Sequence, residues 1–172
     1  RFAHSLGVLF NARRLMRNVK RHIGSDNFDQ FRSEAALTAA LLHDVGHGPF
    51  SHSFESICKS LNLKYAKHED FSDEIIRNTE VAEILDNYTP GMSKQVADII
   101  GAKEPGDVYS SVVSSQFDAD RLDYMQRDRM MSGTQHSEID LTWLIANLEL
   151  DAVPFGVEEE KIGEIETFVL SS

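Results

Sequence analysis

Residues 33–55 read SEAALTAALLHDVGHGPFSHSFE, a stretch that predicts two helices separated by a loop rich in glycine and histidine. The part before the first histidine consists of strong helix formers and is nearly apolar, with Ser33 as a candidate N-cap, so it predicts a central buried helix. The glycines and the proline at 46–49 then end that helix. Ser51 is a second candidate N-cap, for a helix that we expect to run to about Leu61.

Helical patterns cover most of the remaining chain. A helix is predicted over 2–22, and further helices over 67–78, 80–88, 93–100, 108–131 and 140–148. The segment 149–161 is strand-like, and Pro154 and Gly156 indicate a hairpin turn within it. We therefore expect an all-α fold, a helical bundle with a small β-hairpin near its C-terminal end, in a single domain over residues 1–172.

One face of the first predicted helix is basic. At 100° per residue, a single arc holds five cationic side chains, those of Arg13, Arg14, Arg17, Lys20 and Arg21. His4 falls on the opposite side, beside an apolar arc. A solvated face is the simpler interpretation of the basic arc, and a contact with an effector nucleotide or a nucleic acid is the alternative.

The composition is that of an ordinary globular domain. The chain has 172 residues, 41% of them hydrophobic, and a net charge of −11. This charge argues against a general nucleic-acid binder, because such proteins neutralise phosphates with Lys and Arg. Its one cysteine, Cys58, excludes an internal disulfide and a Cys-based zinc site. No apolar run is long enough to span a bilayer and no signal peptide is recognisable, so we expect a cytoplasmic protein with no membrane partner.

Both ends of the chain suggest a core piece of a longer protein. The first residue is Arg1 rather than methionine, and the last eight residues, IETFVLSS, resemble the opening of an unfinished helix. We therefore expect flanking segments on both sides of this domain.

Histidines are clustered in the middle of the chain. Four of the seven, His43, His47, His52 and His68, fall within 26 residues. Each one alone is more simply a polar residue with satisfied hydrogen bonds or a helix C-cap. The alternative is a metal site, because the adjacent pair His43-Asp44 offers mixed nitrogen and oxygen ligands, which suit Mn²⁺, Fe²⁺ or Zn²⁺ better than Ca²⁺.

A second polar cluster lies in residues 115–128, SQFDADRLDYMQRD. On a helical wheel Asp120, Arg121, Tyr124 and Asp128 share one face. A solvated ion-pair face and a functional site are both consistent with this pattern, and the apolar neighbours on the same helix indicate that it is partly buried.

Three motifs together resemble one known family. RFAHSLG at 1–7, HDVGHGPFSH at 43–52 and DADRLDY at 118–124 are similar to the signature of the HD-domain phosphohydrolases. The elaborated form of these motifs looks like the deoxynucleoside triphosphate triphosphohydrolase branch, which includes bacterial dGTPase-like enzymes and the mammalian SAM-and-HD-domain dNTPase. The resemblance extends to about Leu150. It implies hydrolysis of dNTPs to deoxynucleoside and intact triphosphate.

The resemblance also implies a metal centre. Its ligands would be two imidazoles and two carboxylates, from His4, His43, Asp44 and Asp120. One divalent ion is implied, with Mn or Fe favoured over Zn, Ni and Mg. Such a set leaves open positions for water and a phosphate oxygen.

The remaining site residues are assigned by the same resemblance. Catalysis would involve Asp44 through the metal and three further residues, His52, Glu55 and His68, with Glu55 resembling the acid that pairs with His52. Substrate contacts would come from five positions: Arg1 and Arg121 at the triphosphate, Tyr124 and Asp128 at the sugar, and His47 near the substrate. An Arg fork suits bidentate phosphate binding.

Two other functions stay open. One is another HD phosphoesterase, such as a nucleotidase or a cyclic-dinucleotide phosphodiesterase, and the other is a non-catalytic nucleotide-sensing module. The resemblance implies a small-molecule nucleotide as substrate and a homo-oligomer as the assembly, and it leaves open whether a nucleotide activator is required.

Overall fold

The computed structural model describes residues 2–64, 66–102, 105–115, 117–132, 140–152 and 165–170. Their elements, in chain order, are α1 (Phe2–Ile23), α2 (Gln30–Leu42), α3 (His52–Ser60), α4 (His68–Asn78), α5 (Glu80–Tyr88), α6 (Met92–Gly101), α7 (Val108–Ser111), α8 (Ala119–Ser132), α9 (Leu141–Ala146), β1 (Leu148–Ala152) and β2 (Ile165–Leu170). The helical class predicted from the sequence is therefore confirmed.

The first helix is the centre of the bundle. It buries an apolar stripe that includes Val8, Leu15 and Val19 and packs against α2 and α8. Four alanines of α2, at 35, 36, 39 and 40, are completely buried, and these small side chains allow the two helices to approach closely. Helix α6 covers the other side of α2, and α4 and α5 pack on α6.

The start of α2 differs from the prediction. Its N-cap is Asp29, whose side chain accepts a hydrogen bond from the backbone N–H of Arg32, whereas Ser33 is buried inside the helix. The extra turn extends α2 to its contact with α7. Ser51 does precede α3, but its side chain makes no capping hydrogen bond. Its backbone, with φ of 51°, is outside the extended region that N-cap residues normally adopt.

The helix predicted over 108–131 is wrong as a single element. A capping box of Asp107 and Ser110 starts the short helix α7, and the chain then turns before α8 begins at Ala119. The carboxylate of Asp118 accepts a hydrogen bond from the backbone N–H of Arg121 and so caps the new helix. The break allows α8 to pack along α1.

Two short strands follow the helices. β1 and β2 pair antiparallel, with Leu148 opposite Leu170 and Leu150 opposite Phe168. The second strand lies later than the segment 149–161, and the turn predicted at Pro154 and Gly156 falls outside the described residues. The expected helix at the C-terminal end is wrong, because 165–170 are a strand rich in Ile, Thr, Phe and Val, which favour extended backbone.

None of the described helices is both long and apolar enough to cross a membrane.

Candidate metal centre

Three elements bring four predicted ligands to one place. His4 lies near the start of α1, His43 caps the C-terminus of α2 with Asp44 next to it, and Asp120 is in the first turn of α8. His4 Nε2 lies 3.0 Å from Asp120 Oδ1 and 3.7 Å from Asp44 Oδ2. Ligand atoms of His4, His43 and Asp44 all lie within 4.8 Å of one another, close enough to bind a single ion.

The ring of His43 is oriented for metal binding. Its Nδ1 donates a hydrogen bond to the backbone carbonyl of Ala40 at 2.9 Å, which leaves Nε2 with a free lone pair. Nε2 is buried and makes no hydrogen bond, while Asp44 Oδ1 and Asp120 Oδ1 lie 3.5 and 3.7 Å away. A buried acceptor nitrogen that faces two carboxylates fits a divalent cation, since the ion would satisfy both the lone pair and the negative charge.

His4 is held by a residue that the sequence analysis missed. Its Nδ1 donates to Oδ2 of Asp123 at 2.6 Å, and Asp123 is only 6% exposed. Arg127 Nε donates to the same carboxylate, and its guanidinium also donates to the carbonyl of Ala3. The carboxylate fixes the His4 tautomer so that Nε2 faces the centre, which is the usual support for a metal-binding histidine.

Gly7 makes room for this support. A Cβ at this position would lie 1.8 Å from Asp123 Oδ1, so any side chain would displace the carboxylate. A sequence signal for Asp123 does exist, because it follows Asp120 by three residues and therefore lies one helical turn away along α8.

A second cluster borders the centre. His47 Nε2 lies 3.3 Å from Asp44 Oδ1, and the His47 ring stacks on the ring of His68 at a centroid distance of 3.8 Å. His68 Nδ1 donates in turn to the carboxylate of Glu55, which also pairs with Lys59 at 3.2 Å. The hydrogen bond from His68 lowers the pKa of Glu55 from 4.5 to about 2, so this carboxylate is ionised at neutral pH.

The loop after α2 determines the position of His47. The backbone N–H of Gly46 donates to Ser72 Oγ at 3.0 Å, which ties the loop to α4. A Cβ at Gly46 would lie 2.3 Å from the carbonyl oxygen of His68 and 2.4 Å from the backbone nitrogen of Ser72. The close approach of the loop to α4 is what allows His47 to stack on His68.

A model of one protein family matches residues 1–125, and its description is HD domain. This match covers more than half of the chain. The chain belongs to the HD domain family.

Relatives of this HD domain include proteins with and without an assigned activity. It is 37% identical to the uncharacterized protein YwfO of Bacillus subtilis over 99% of the chain, and 31% identical to a deoxynucleoside triphosphate triphosphohydrolase SAMHD1 homolog of Dictyostelium discoideum over 77% of the chain. Among solved structures, a phosphohydrolase from Bacteroides thetaiotaomicron superposes with a TM-score of 0.67 at 27% identity, over 99% of the chain. The chain spans 38%, 27% and 36% of these three proteins, respectively.

The predicted substrate residues of the HD domain lie on the open side of α8. Arg121, Tyr124 and Asp128 are exposed and follow Asp120 along the helix. Arg121 Nε lies 3.8 Å from Asp118 Oδ2, and burial raises the pKa of the Asp118 carboxyl. The three side chains thus lie on the solvent-facing part of α8 that follows Asp120.

The structure does not describe the side chains of two predicted site residues. Arg1 lies outside the described residues. His52 is the first residue of α3, but its side chain is outside the described part of the chain. The predicted pairing of His52 with Glu55 therefore stays a prediction.

Proposed function

We propose that this HD domain is the catalytic core of a metal-dependent phosphohydrolase that converts dNTPs to deoxynucleoside and inorganic triphosphate. The observation that carries the proposal is the convergence of His4, His43, Asp44 and Asp120, from three elements, beside the stacked histidines 47 and 68. The family match and the name of the Dictyostelium relative support the reaction class and the substrate class.

The four converging residues would hold one divalent ion. A bound ion would polarise a phosphate oxygen and lower the pKa of a water molecule, which is the chemistry that phosphate ester hydrolysis needs. Two imidazoles and two carboxylates favour Mn²⁺ or Fe²⁺, with Zn²⁺, Ni²⁺ and Mg²⁺ as the other choices. The hydrogen bonds from His4 Nδ1 to Asp123 and from His43 Nδ1 to Ala40 orient both rings so that their Nε2 atoms face the centre.

The second cluster, which contains His47, Glu55 and His68, would supply general acid–base catalysis. The Glu55 carboxylate accepts the Nδ1 hydrogen of His68, so the other ring nitrogen of His68 is the atom that exchanges a proton with the substrate. An imidazole paired with a carboxylate is a suitable acid for a leaving alkoxide at neutral pH. His52, at the start of α3, is the second candidate for this role.

Substrate binding would use the exposed side of α8. Arg121, together with Arg1, would bind the triphosphate, and Tyr124 and Asp128 would contact the deoxyribose. A cationic guanidinium close to the metal centre provides local attraction for a polyanion in a chain whose net charge is −11, because distant surface charges are screened over about 10 Å.

The test is product analysis by mass spectrometry. The metal-loaded protein is incubated with the four dNTPs, alongside Asp44→Ala, Asp120→Ala and the control Asp26→Ala, whose carboxylate is exposed and away from the centre. We expect deoxynucleoside and intact triphosphate from the wild type and the control, and loss of both bound metal and hydrolysis in the two ligand variants.

Other results would redirect the assignment. Monophosphates or free phosphate as products would indicate another HD phosphoesterase. Nucleotide binding without turnover would indicate a sensing module. Retention of full metal content by both Asp44→Ala and Asp120→Ala would contradict the proposed ligand set.

A further inference from the structure

A basic groove lies between α1 and α9, away from the metal centre. It encloses about 240 Å³, and its lining includes Arg14, Arg17 and Arg21 from α1 and Thr142 and Ala146 from α9. At 1.5 Å per residue, the ten residues from His4 to Arg14 place the nearest of these arginines about 15 Å along the helix from the proposed ligand.

The three arginines of this groove lack acidic partners. Within the described part of the chain, no carboxylate is at ion-pair distance from any of them. Ion pairs do form at four other arginines, Arg32, Arg77, Arg121 and Arg127. In a chain with 28 acidic and 17 basic residues, three neighbouring arginines without a counter-charge are a local concentration of positive potential.

Neutral oxygens hold two of the guanidinium groups in place. Arg14 donates to Thr142 Oγ1 at 3.0 Å and Arg21 donates to the carbonyl of Ala146 at 3.3 Å. These bonds orient the side chains without neutralising their charge. They also leave donors on each guanidinium, because the group carries five N–H bonds.

Hydrogen bonds hold the base of the groove together. Asn18 is buried beneath it, and its Nδ2 donates to the carbonyls of Ile145 and Leu148 at 2.5 and 3.2 Å. These bonds fasten the end of α9 to α1, so the spacing between the arginines and α9 is set by the fold. A preorganised site loses less affinity to ordering than a mobile surface does.

We propose that this groove is a second binding site, specific for a small polyphosphate anion such as a diphosphate or triphosphate group. Guanidinium forks match phosphate oxygens in geometry and charge. Arg17 is exposed, lines the groove and makes no hydrogen bond or ion pair with the described residues, so its N–H donors can bind a ligand there. The groove acts independently of the hydrolytic centre.

The test is equilibrium binding of inorganic pyrophosphate to the intact protein, with a divalent ion present and again with EDTA, which abolishes metal-dependent binding at the hydrolytic centre. The variant is Arg17→Ala. The matched control is Arg13→Ala, an exposed arginine of the same helix that lines a different depression together with Glu34.

We expect binding that persists in EDTA, weakens with rising salt and falls about tenfold in Arg17→Ala, as loss of a charge-assisted hydrogen bond predicts. Arg13→Ala should stay within about twofold of the wild type, because it removes the same charge outside the groove. Hydrolysis by the metal-loaded Arg17→Ala protein should equal that of the wild type. Absence of binding in EDTA, or an equal loss in the two variants, would overturn the groove as a specific site.

Discussion

At the scale of single residues, the centre depends on side chains that would not themselves touch a metal ion. Asp123 accepts a hydrogen bond from His4 Nδ1, on the side of the ring away from the centre, and Arg127 donates to Asp123. Glu55 does the same for His68. Such supporting carboxylates orient the imidazoles and select the tautomer, and their loss commonly weakens metal binding or activity.

The variant Asp123→Asn tests this support. The neutral amide keeps the shape of the carboxylate but not its charge, so we expect metal affinity to fall about 10–100-fold. Competition against a chelator of known affinity measures the change. Asp128→Asn makes the same substitution on the exposed side of the same helix and should leave the affinity unchanged. Equal affinities in the two variants would show that Asp123 does not support His4.

The lowered pKa of Glu55 predicts a specific pH dependence. Because folding lowers this pKa from 4.5 to about 2, the carboxylate contributes stability that is fully present above about pH 4.5 and is lost as the pH falls towards 2. The difference in unfolding free energy between the wild type and Glu55→Gln should therefore shrink over that range. Urea denaturation at a series of pH values measures it, with Glu83→Gln on α5 as the comparison. A difference that does not vary with pH would contradict the stabilising role of the His68 contact.

At the scale of elements, the loop between α2 and α3 joins the two clusters. It carries Asp44 into the first cluster and His47 against the second, and Gly46 allows it to touch α4. Phe50 and Ser51 at its end have φ values of 61° and 51°, a backbone that is uncommon for residues other than glycine. The loop is thus held by its contacts with α4 rather than by its own conformational preference.

Gly46→Ala tests the contact between this loop and α4. The new Cβ would meet backbone atoms of His68 and Ser72 at 2.3 and 2.4 Å, so one of the two segments must move. We expect a loss of about 1–3 kcal/mol in unfolding free energy, as for other overpacked sites, together with a lower kcat. Gly101→Ala is the control, because nothing lies within 4 Å of a Cβ there. Thermal or urea denaturation measures the unfolding free energy of both variants. Equal values for Gly46→Ala and Gly101→Ala would show that the loop can shift freely.

At the scale of the whole molecule, the predicted ligands join parts of the chain that are far apart in sequence. His4, the His43-Asp44 pair and Asp120 come from α1, from the end of α2 and from α8, three helices that share one core. In the absence of an ion, the carboxylates of Asp44 and Asp120 repel each other, and a bound cation would remove that repulsion. Metal binding should therefore be coupled to folding.

The coupling predicts that divalent ions stabilise the protein. At an ion concentration 100 times Kd, a ligand that binds only the folded state adds about 2.7 kcal/mol to the unfolding free energy. Thermal denaturation with increasing Mn²⁺ should show a rising Tm for the wild type and for Asp26→Ala, and a constant Tm for Asp120→Ala. A rise of the same size in Asp120→Ala would place the bound ion elsewhere.

Local patterns predicted the helical class and most helix positions, because the helical period of apolar residues depends only on residues that are close in sequence. The predicted range 80–88 matches α5, and 67–78 is within one residue of α4. The apolar pattern did not predict where a helix starts or breaks when side-chain hydrogen bonds set the boundary. The break before Asp118 and the cap at Asp29 depend on side-chain hydrogen bonds that compete with continuation of a helix.

Three motifs identify the family and the candidate metal ligands without any structure, because they contain the chemical groups that an HD centre uses. The support of those groups depends on contacts that form only in the folded chain. The contacts of His4 with Asp123, of Glu55 with His68 and of Arg14 with Thr142 join residues that are 119, 13 and 128 positions apart. No local propensity encodes such pairs, since they arise when packed helices bring distant side chains within hydrogen-bond distance.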